Sequence, residues 1–279
     1  MPETGGLLAI FAHPDDETLV AGTMARYRDA GLAVTMVCAT RGEVGEIAPG
    51  TGATPETLGE FREQELRDAC AAVGVGDVRF LDFRDSGMRG TPENDDPRNL
   101  HMAPADRVVE PLVRAIRELR PRAIATWDES GGYGHPDHIA VHYHATAAFH
   151  AAADPSHAAS AGEPWRTNAL FYSVIPFEEF GQVMEEMRAQ GVEIDPPGDA
   201  EALAALPRVP ANCIIDVSAQ YARKMQAMAS HRTQAGDMDQ FFKMPDELRR
   251  RIFGREWYHR TAPAVSPGKM LDDLFSRPA

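Results

Sequence analysis

The stretch Leu7-Leu8-Ala9-Ile10-Phe11-Ala12-His13-Pro14-Asp15-Asp16-Glu17 decides the fold. Its first five residues form a short continuous apolar run, the pattern of a strand covered on both faces. The run stops at a histidine, a proline and three acids, and the period then changes. Val20, Met24 and Tyr27 recur at helical spacing up to Gly31, a residue that tolerates the positive φ of a helix end. Strand, turn and helix in that order open a βα unit.

The alternation continues outward. Leu32 to Cys38 reads as a second strand, followed by a helix capped by Thr54 with Pro55 as its first residue. A strand over Val78 to Leu81, a helix near Val108 to Leu119 interrupted by Pro111, a strand over Ala123 to Thr126 and a helix from about His138 to Ala151 come next. Leu170 to Ile175 and Cys213 to Val217 read as strands, and Glu178 to Leu206 as an insertion with one helix and a Pro196-Pro197 loop. The pattern predicts an α/β fold with a Rossmann-like, mostly parallel sheet and helices on both faces. It predicts one domain over 1–279, with a variable substrate lobe at about 152–212 and a C-terminal segment, 240–279, elaborated over the site.

Against 28 Lys and Arg the chain carries 42 Asp and Glu, a formal net charge of -14. Neutralising phosphates needs clustered Lys and Arg, so the balance argues against nucleic acid or an anionic membrane as partner and for a small ligand. Cys38, Cys70 and Cys213 are odd in number, far apart and set in apolar surroundings, so they read as reduced core thiols. No secretory signal pattern and no apolar run near the ~20 residues of a membrane span is present. The expectation is a cytoplasmic protein; a homo-oligomer is compatible with it.

Two blocks carry chemistry: His13-Pro14-Asp15-Asp16-Glu17 after the first strand, and Tyr133-Gly134-His135-Pro136-Asp137-His138 after the strand ending near Trp127. In open parallel sheets ligands gather beyond the carboxyl ends of strands, so the two blocks converge in one crevice. Three consecutive acids repel one another, and a cation is the simplest reason to keep them together. His13, Asp16 and His138 supply the two histidines and one carboxylate of a catalytic zinc site with an open position for water. Asp15, beside a ligand but directed elsewhere, is placed to take that water's proton. A dinucleotide fold would need Gly-x-Gly-x-x-Gly where these acids stand, and a diphosphate would be repelled there.

These two blocks, in this order and layout, resemble the PIG-L/LmbE-like zinc-dependent de-N-acetylases. Arg84-Asp85-Ser86-Gly87-Met88 and Gly131-Gly132-Tyr133-Gly134-His135-Pro136-Asp137-His138 are most similar to the mycothiol-pathway branch, its N-acetylglucosaminyl-inositol deacetylases ahead of its conjugate amidases. The resemblance implies a metal on His13, Asp16 and His138, zinc with ferrous iron as the alternative occupant, and Asp15 as general base. It implies a protonated His135 facing the oxyanion or leaving amine, Asp137 orienting that ring, and Tyr133 polarising the amide carbonyl. It implies an N-acetyl amino sugar as the substrate.

On a helical wheel Arg62 and Glu65 fall within the apolar stripe of the helix from Pro55 to Val73. They read either as a buried i,i+3 pair or as an arginine reaching ligand hydroxyls, the role the resemblance implies for Arg62. Asp85 matches the family's acceptor for a sugar hydroxyl, against plain turn chemistry in Asp-Ser-Gly. One of the glutamates of the loop Arg41-Gly42-Glu43-Val44-Gly45-Glu46, Glu43 or Glu46, is a further candidate contact, with Glu46 taken first. His142, one turn beyond His138, reads as a packed histidine behind the site; His144 and His150 share its helix. His231, in Ser230-His231-Arg232-Thr233-Gln234, matches a late family block without an assigned role. Thr18-Leu19-Val20-Ala21-Gly22 departs from the lysine-bearing pattern of the conjugate amidases.

The expected activity is therefore hydrolysis of the N-acetyl group of a GlcNAc-containing small molecule to a free amine and acetate. Alternatives are an amidase on a mycothiol-type thiol conjugate or another N-acyl glycoside, a non-haem iron(II) oxygenase, whose facial triad uses the same ligands, and an inactive sugar-binding protein. Asp15, a base that an oxygenase does not need, favours the hydrolase.

Overall fold

The structure, a computed structural model, describes residues 5–157, 159–191 and 205–276. A seven-stranded sheet has the order β3-β2-β1-β4-β5-β7-β6. Its strands are β1 (Leu7–Phe11), β2 (Val34–Thr40), β3 (Asp77–Phe83), β4 (Ala123–Trp127), β5 (Ala169–Ser173), β6 (Cys213–Asp216) and β7 (Arg255–Ala262). β3, β2, β1, β4 and β5 run parallel, and β7 is antiparallel to both its neighbours. All five residues of β1 are buried, as are all seven of β2, which is why both read as unbroken apolar or small-residue runs. Phe11 meets Trp127 edge-to-face at 5.8 Å, joining the ends of β1 and β4; burying such side chains is worth roughly 1.5–3 kcal/mol each.

The expected elements appear with shifted ends. After a 3-10 turn over Asp16–Leu19, α1 covers Ala21–Asp29 and closes at Gly31 with φ 78°. α2 (Leu58–Ala72) starts after Thr57, three residues beyond the expected cap Thr54, because Thr54 to Thr57 forms a turn of its own. α3 (Ala105–Leu119) carries Pro111 inside it. The one-turn α4 (Gly131–Gly134) precedes α5 (Pro136–Ala151), and α6 (Phe177–Ala189) lies in the expected insertion. The Pro196-Pro197 loop falls outside the described residues. Among the described residues no helix is long and apolar enough to cross a membrane.

The C-terminal third departs from expectation. α7 (Tyr221–Ser230), α8 (Ala235–Phe242) and α9 (Asp246–Phe253) precede β7, which enters the sheet between β5 and β6. β7 was illegible because Glu256 and Arg260 stand at buried positions, 1 % and 3 % exposed, and break its apolar pattern. The Glu256 carboxylate accepts the N–H groups of Gly22 and Thr23 at the start of α1, each at 2.8 Å, and pairs with buried Lys224 at 2.6 Å. Further on, Leu274 donates its N–H to the Tyr27 hydroxyl at the end of α1 remote from Asp15. α6, α9 and Met244 between α8 and α9 form a second small core of Val183, Met187, Met244, Leu248 and Ile252, with Phe241 of α8 packed against it.

Candidate metal and catalytic site

From β1 the chain runs outward to β2 and β3, then returns to place β4 on the other side of β1. The crevice lies at this reversal, where both blocks leave the carboxyl ends of adjacent strands. His13, Asp15 and Asp16 follow β1, Asp85 and Ser86 follow β3, and Tyr133, His135, Asp137 and His138 follow β4.

His138 Nε2 stands 3.0 Å from His13 Nδ1 and 3.2 Å from Asp16 Oδ1. Each donor is held by its other atom. His138 Nδ1 faces the Gly131 carbonyl at 3.0 Å, and His13 Nε2 faces Asp137 Oδ2 at 3.2 Å and Asp85 Oδ1 at 3.4 Å. Those acceptors favour the ring protons on these nitrogens, so with both rings neutral, as a metal requires, His13 Nδ1 and His138 Nε2 turn their lone pairs toward one another. Asp16 Oδ2 accepts from Ala12 N, His13 N and Trp127 Nε1 at 2.9–3.0 Å, leaving Oδ1 free. Ligands about 2.0–2.1 Å from a tetrahedral zinc lie about 3.3 Å apart, close to both separations. Both pairs, His13 with His138 and His138 with Asp16, therefore have the spacing of neighbouring ligands on one divalent metal. His135 is near enough to compete: His13, His135 and His138 each offer a nitrogen within 4.8 Å of the others.

The electrostatics favour a cation. Burial works against a charge on His13, but Asp85, Asp137 and Asp16 outweigh it and raise its pKa well above the ordinary value. Burial likewise opposes the Asp16 and Asp85 carboxylates, yet His138 and His13 hold Asp16 down and His13 holds Asp85 down. Asp15 is pushed the other way: burial raises it, and Arg62 offsets only part of the rise.

Asp15 has φ 108° and ψ -26°, a left-handed conformation that costs a non-glycine residue about 1–3 kcal/mol. It turns the Asp15 side chain to a position 22 % exposed, whereas Asp16 and Glu17 are buried. Arg62 donates to Asp15 Oδ2 at 2.9 Å, to the Pro14 carbonyl at 2.6 Å and to the Gly42 carbonyl at 2.9 Å. Its guanidinium lies where a Cβ on Gly42 or Gly45 would stand, so that loop needs its glycines.

Several expected partners change. Arg62 is 3 % exposed and pairs with Asp15, not Glu65; Glu65 accepts from Thr233 N at 2.9 Å and Thr233 Oγ1 at 2.6 Å. The Asp137 carboxylate does not orient His135. It accepts from Ser86 N at 2.8 Å and from Ser86 Oγ and faces His13, while the Asp137 backbone N–H donates to His135 Nδ1 at 3.1 Å. His135 caps α5, and that contact puts its proton on Nε2. Burial, then the charges of His13 and His138, push its pKa down to about 2, so His135 is a neutral N–H donor and not the expected cation.

Asp85 is buried between His13 and His135, its oxygens accepting from Gly87 N at 2.8 Å and Val44 N at 3.3 Å. Tyr133, 42 % exposed, crosses the His138 ring at 4.9 Å at the crevice mouth. Glu46 is exposed and outside the cluster; Glu43 is the loop carboxylate tied to it, accepting from Asp85 N at 3.1 Å. His142 bonds the Trp127 carbonyl at 3.0 Å, behind the ring that stacks on His138 at 4.3 Å. Sequence reasoning missed Ser86 and Glu17, although the repeated acid in the first block marked Glu17 as unusual.

A parallel sheet whose carboxyl edge gathers two histidines, a carboxylate and an adjacent acid is the arrangement a metal-dependent amide hydrolase needs, and the chain's relatives agree with that class. The model of the PIG-L family, GlcNAc-PI de-N-acetylase, matches residues 8–149. The chain belongs to this family. It is similar to the 1D-myo-inositol 2-acetamido-2-deoxy-alpha-D-glucopyranoside deacetylases of Thermobifida fusca, 38% identical over 97% of this chain and 98% of the relative, and of Geodermatophilus obscurus, 40% identical over 97% of each. Among solved structures, the N,N'-diacetylchitobiose deacetylase from Pyrococcus horikoshii shares the fold, with a TM-score of 0.65 at 18% identity, covering 95% of this chain and 88% of that one.

Proposed function

We propose that this enzyme removes the N-acetyl group from a GlcNAc-containing small molecule, with GlcNAc-inositol the leading substrate, releasing acetate and a primary amine. The observation that carries the reading is the close approach of His13 Nδ1, His138 Nε2 and Asp16 Oδ1, with Asp15 beside them. The names of the two deacetylase relatives support the substrate class. The resident metal is zinc, with ferrous iron the alternative. The buried free thiols Cys38, Cys70 and Cys213 support a reducing, cytoplasmic setting.

His13, Asp16 and His138 would hold the metal, which would supply a water of lowered pKa and polarise the acetamide carbonyl. Asp15 takes the proton of the attacking water. Its raised pKa suits it to keep that proton and deliver it to the departing nitrogen, whose protonation an amide requires. His135 donates its Nε2–H to the developing oxyanion, and Tyr133 reaches the same oxygen from the mouth. Asp137, fixed by Ser86, holds the His13 ring; Asp85 accepts a substrate hydroxyl, and Arg62 orients Asp15.

The test is fluorescent detection of primary amine from GlcNAc-inositol, with free GlcNAc and an N-acetyl-cysteine conjugate alongside, for zinc-loaded and chelator-treated protein. Zinc-dependent release from GlcNAc-inositol is expected. Release confined to the thiol conjugate would make the protein an amidase of that branch, and no release from any of the three with zinc bound would refute the substrate assignment.

A further inference from the structure

Two buried side chains play no part in this mechanism. Glu17 is 0 % exposed and His231 1 % exposed, and His231 Nε2 lies 2.6 Å from Glu17 Oε1. The other oxygen, Glu17 Oε2, accepts the backbone N–H of Asp15 at 2.9 Å. Helix capping alone does not account for a buried carboxylate here, because the neutral side chains of Ser, Thr or Asn cap helix ends without burying a charge. What Glu17 holds is the one acid of the first block that adopts a left-handed backbone.

His231 is itself fixed. It opens the turn Arg232–Gln234, which follows α7. In that turn Thr233 grips Glu65, three residues beyond Arg62 on α2. The Thr233 carbonyl accepts from Ala48 N at 2.8 Å, and Gln234 Nε2 donates to the Glu46 carbonyl at 2.7 Å. One turn thus braces both groups that hold Asp15: Glu17 on its backbone N–H and the helix presenting Arg62 to its carboxylate.

We infer that Glu17 and His231 are positioning residues, the Glu17 carboxylate, anchored by His231, keeping Asp15 in the strained conformation that presents its side chain to the crevice. The inference rests on Asp15 as general base. Without the anchor, Asp15 relaxes toward negative φ and its carboxylate leaves the reacting centre, where a displacement of about 1 Å can cost about 100-fold in rate.

The experiment places E17A, E17Q, H231L and H231Q in the wild type, and E17A also in D15N. Turnover of GlcNAc-inositol and bound metal are measured for each, and a crystal structure of E17A is determined. E17A and H231L are expected to lower kcat about 10–100-fold, leaving KM and metal stoichiometry within about twofold. H231Q, whose amide N–H replaces the ring Nε2–H, should recover to within about threefold of wild type, and E17Q should fall between wild type and E17A. In D15N, E17A should change the residual rate by less than about twofold, since no base remains to be aimed. The E17A structure should show Asp15 out of the left-handed region.

An equal loss from E17A with and without Asp15, or a loss tracking metal content alone, overturns the inference. So does wild-type kcat in E17A while D15N is crippled. Should H231L not fold, E17Q and H231Q still decide. If D15N itself turns over at the wild-type rate with metal bound, the general-base reading falls, and this inference with it.

Discussion

Replacing Asp16 by asparagine separates its two jobs. Three N–H donors converge on Oδ2, so the amide must keep its oxygen there and place its NH2 group at the Oδ1 position, 3.2 Å from His138 Nε2. D16N therefore keeps the turn and loses the ligand. Without metal, the variant gives up charge assistance in three bonds, about 1 kcal/mol each, and gains an N–H···N bond to His138 of similar worth. A net cost of about 2 kcal/mol lowers Tm by about 3 °C in a chain of 279 residues. With metal at about 100 times its Kd, the wild type gains about 2.7 kcal/mol, or about 5 °C, and D16N gains almost nothing. The assay is scanning calorimetry with and without zinc, with metal content checked on the same samples. The difference between the two scans cancels the apo cost. A wild-type zinc shift in D16N would remove Asp16 from the ligand set and leave His13, His135 and His138 as the metal's donors.

Other parts of the structure make sharper claims about stability. E256Q should cost about 3–5 kcal/mol in urea unfolding, because buried Lys224 loses its counter-charge and the single amide oxygen can accept from only one of Gly22 N and Thr23 N; K224M in the same chain should recover part of it by removing the buried charge. Burial lowers the His142 pKa despite its bond to the Trp127 carbonyl. The unfolded chain therefore binds that proton more readily, and stability falls as pH drops below about 6.5, by up to about 1.4 kcal/mol per pH unit. H142Q should flatten this part of the acid profile in thermal melts between about pH 7 and pH 5. G132A asks for φ 70° from a residue with a Cβ, which would lie 2.5 Å from the Trp127 ring. Displacing the ring that stacks on His138 should lower amine release about 10-fold or more, with a matching change in near-ultraviolet circular dichroism.

What could be read in advance follows from how local each signal is. β1, β2 and β4 are buried on both faces, so their apolar runs stand out in the chain, and the blocks after β1 and β4 state their chemistry in a few consecutive residues. β7 hid because its buried Glu256 is satisfied by Gly22, Thr23 and Lys224, groups far away in sequence. Periodicity sees only whether a residue is polar, never whether a distant partner compensates it. The Arg62-Glu65 spacing misled for the same reason: both side chains face inward as the helical wheel required, but each finds its partner on another element.

The same division runs through the site. Donor atoms were legible, whereas the atoms that aim them were not. His13 is aimed by Asp137, Asp137 by Ser86, and Asp15 by Glu17 and Arg62, with each contact but Glu17 to Asp15 joining segments from different strands or helices. His135 shows how much this matters. Its residue type suggested a cationic acid, but a backbone N–H on Nδ1 and burial among two histidines make it a neutral donor. The proton for the leaving nitrogen is then assigned to Asp15, the carboxyl whose pKa burial raises and which also faces the crevice. The chemistry of this site accordingly depends less on which titratable residues it contains than on the strained backbone that presents Asp15 to it.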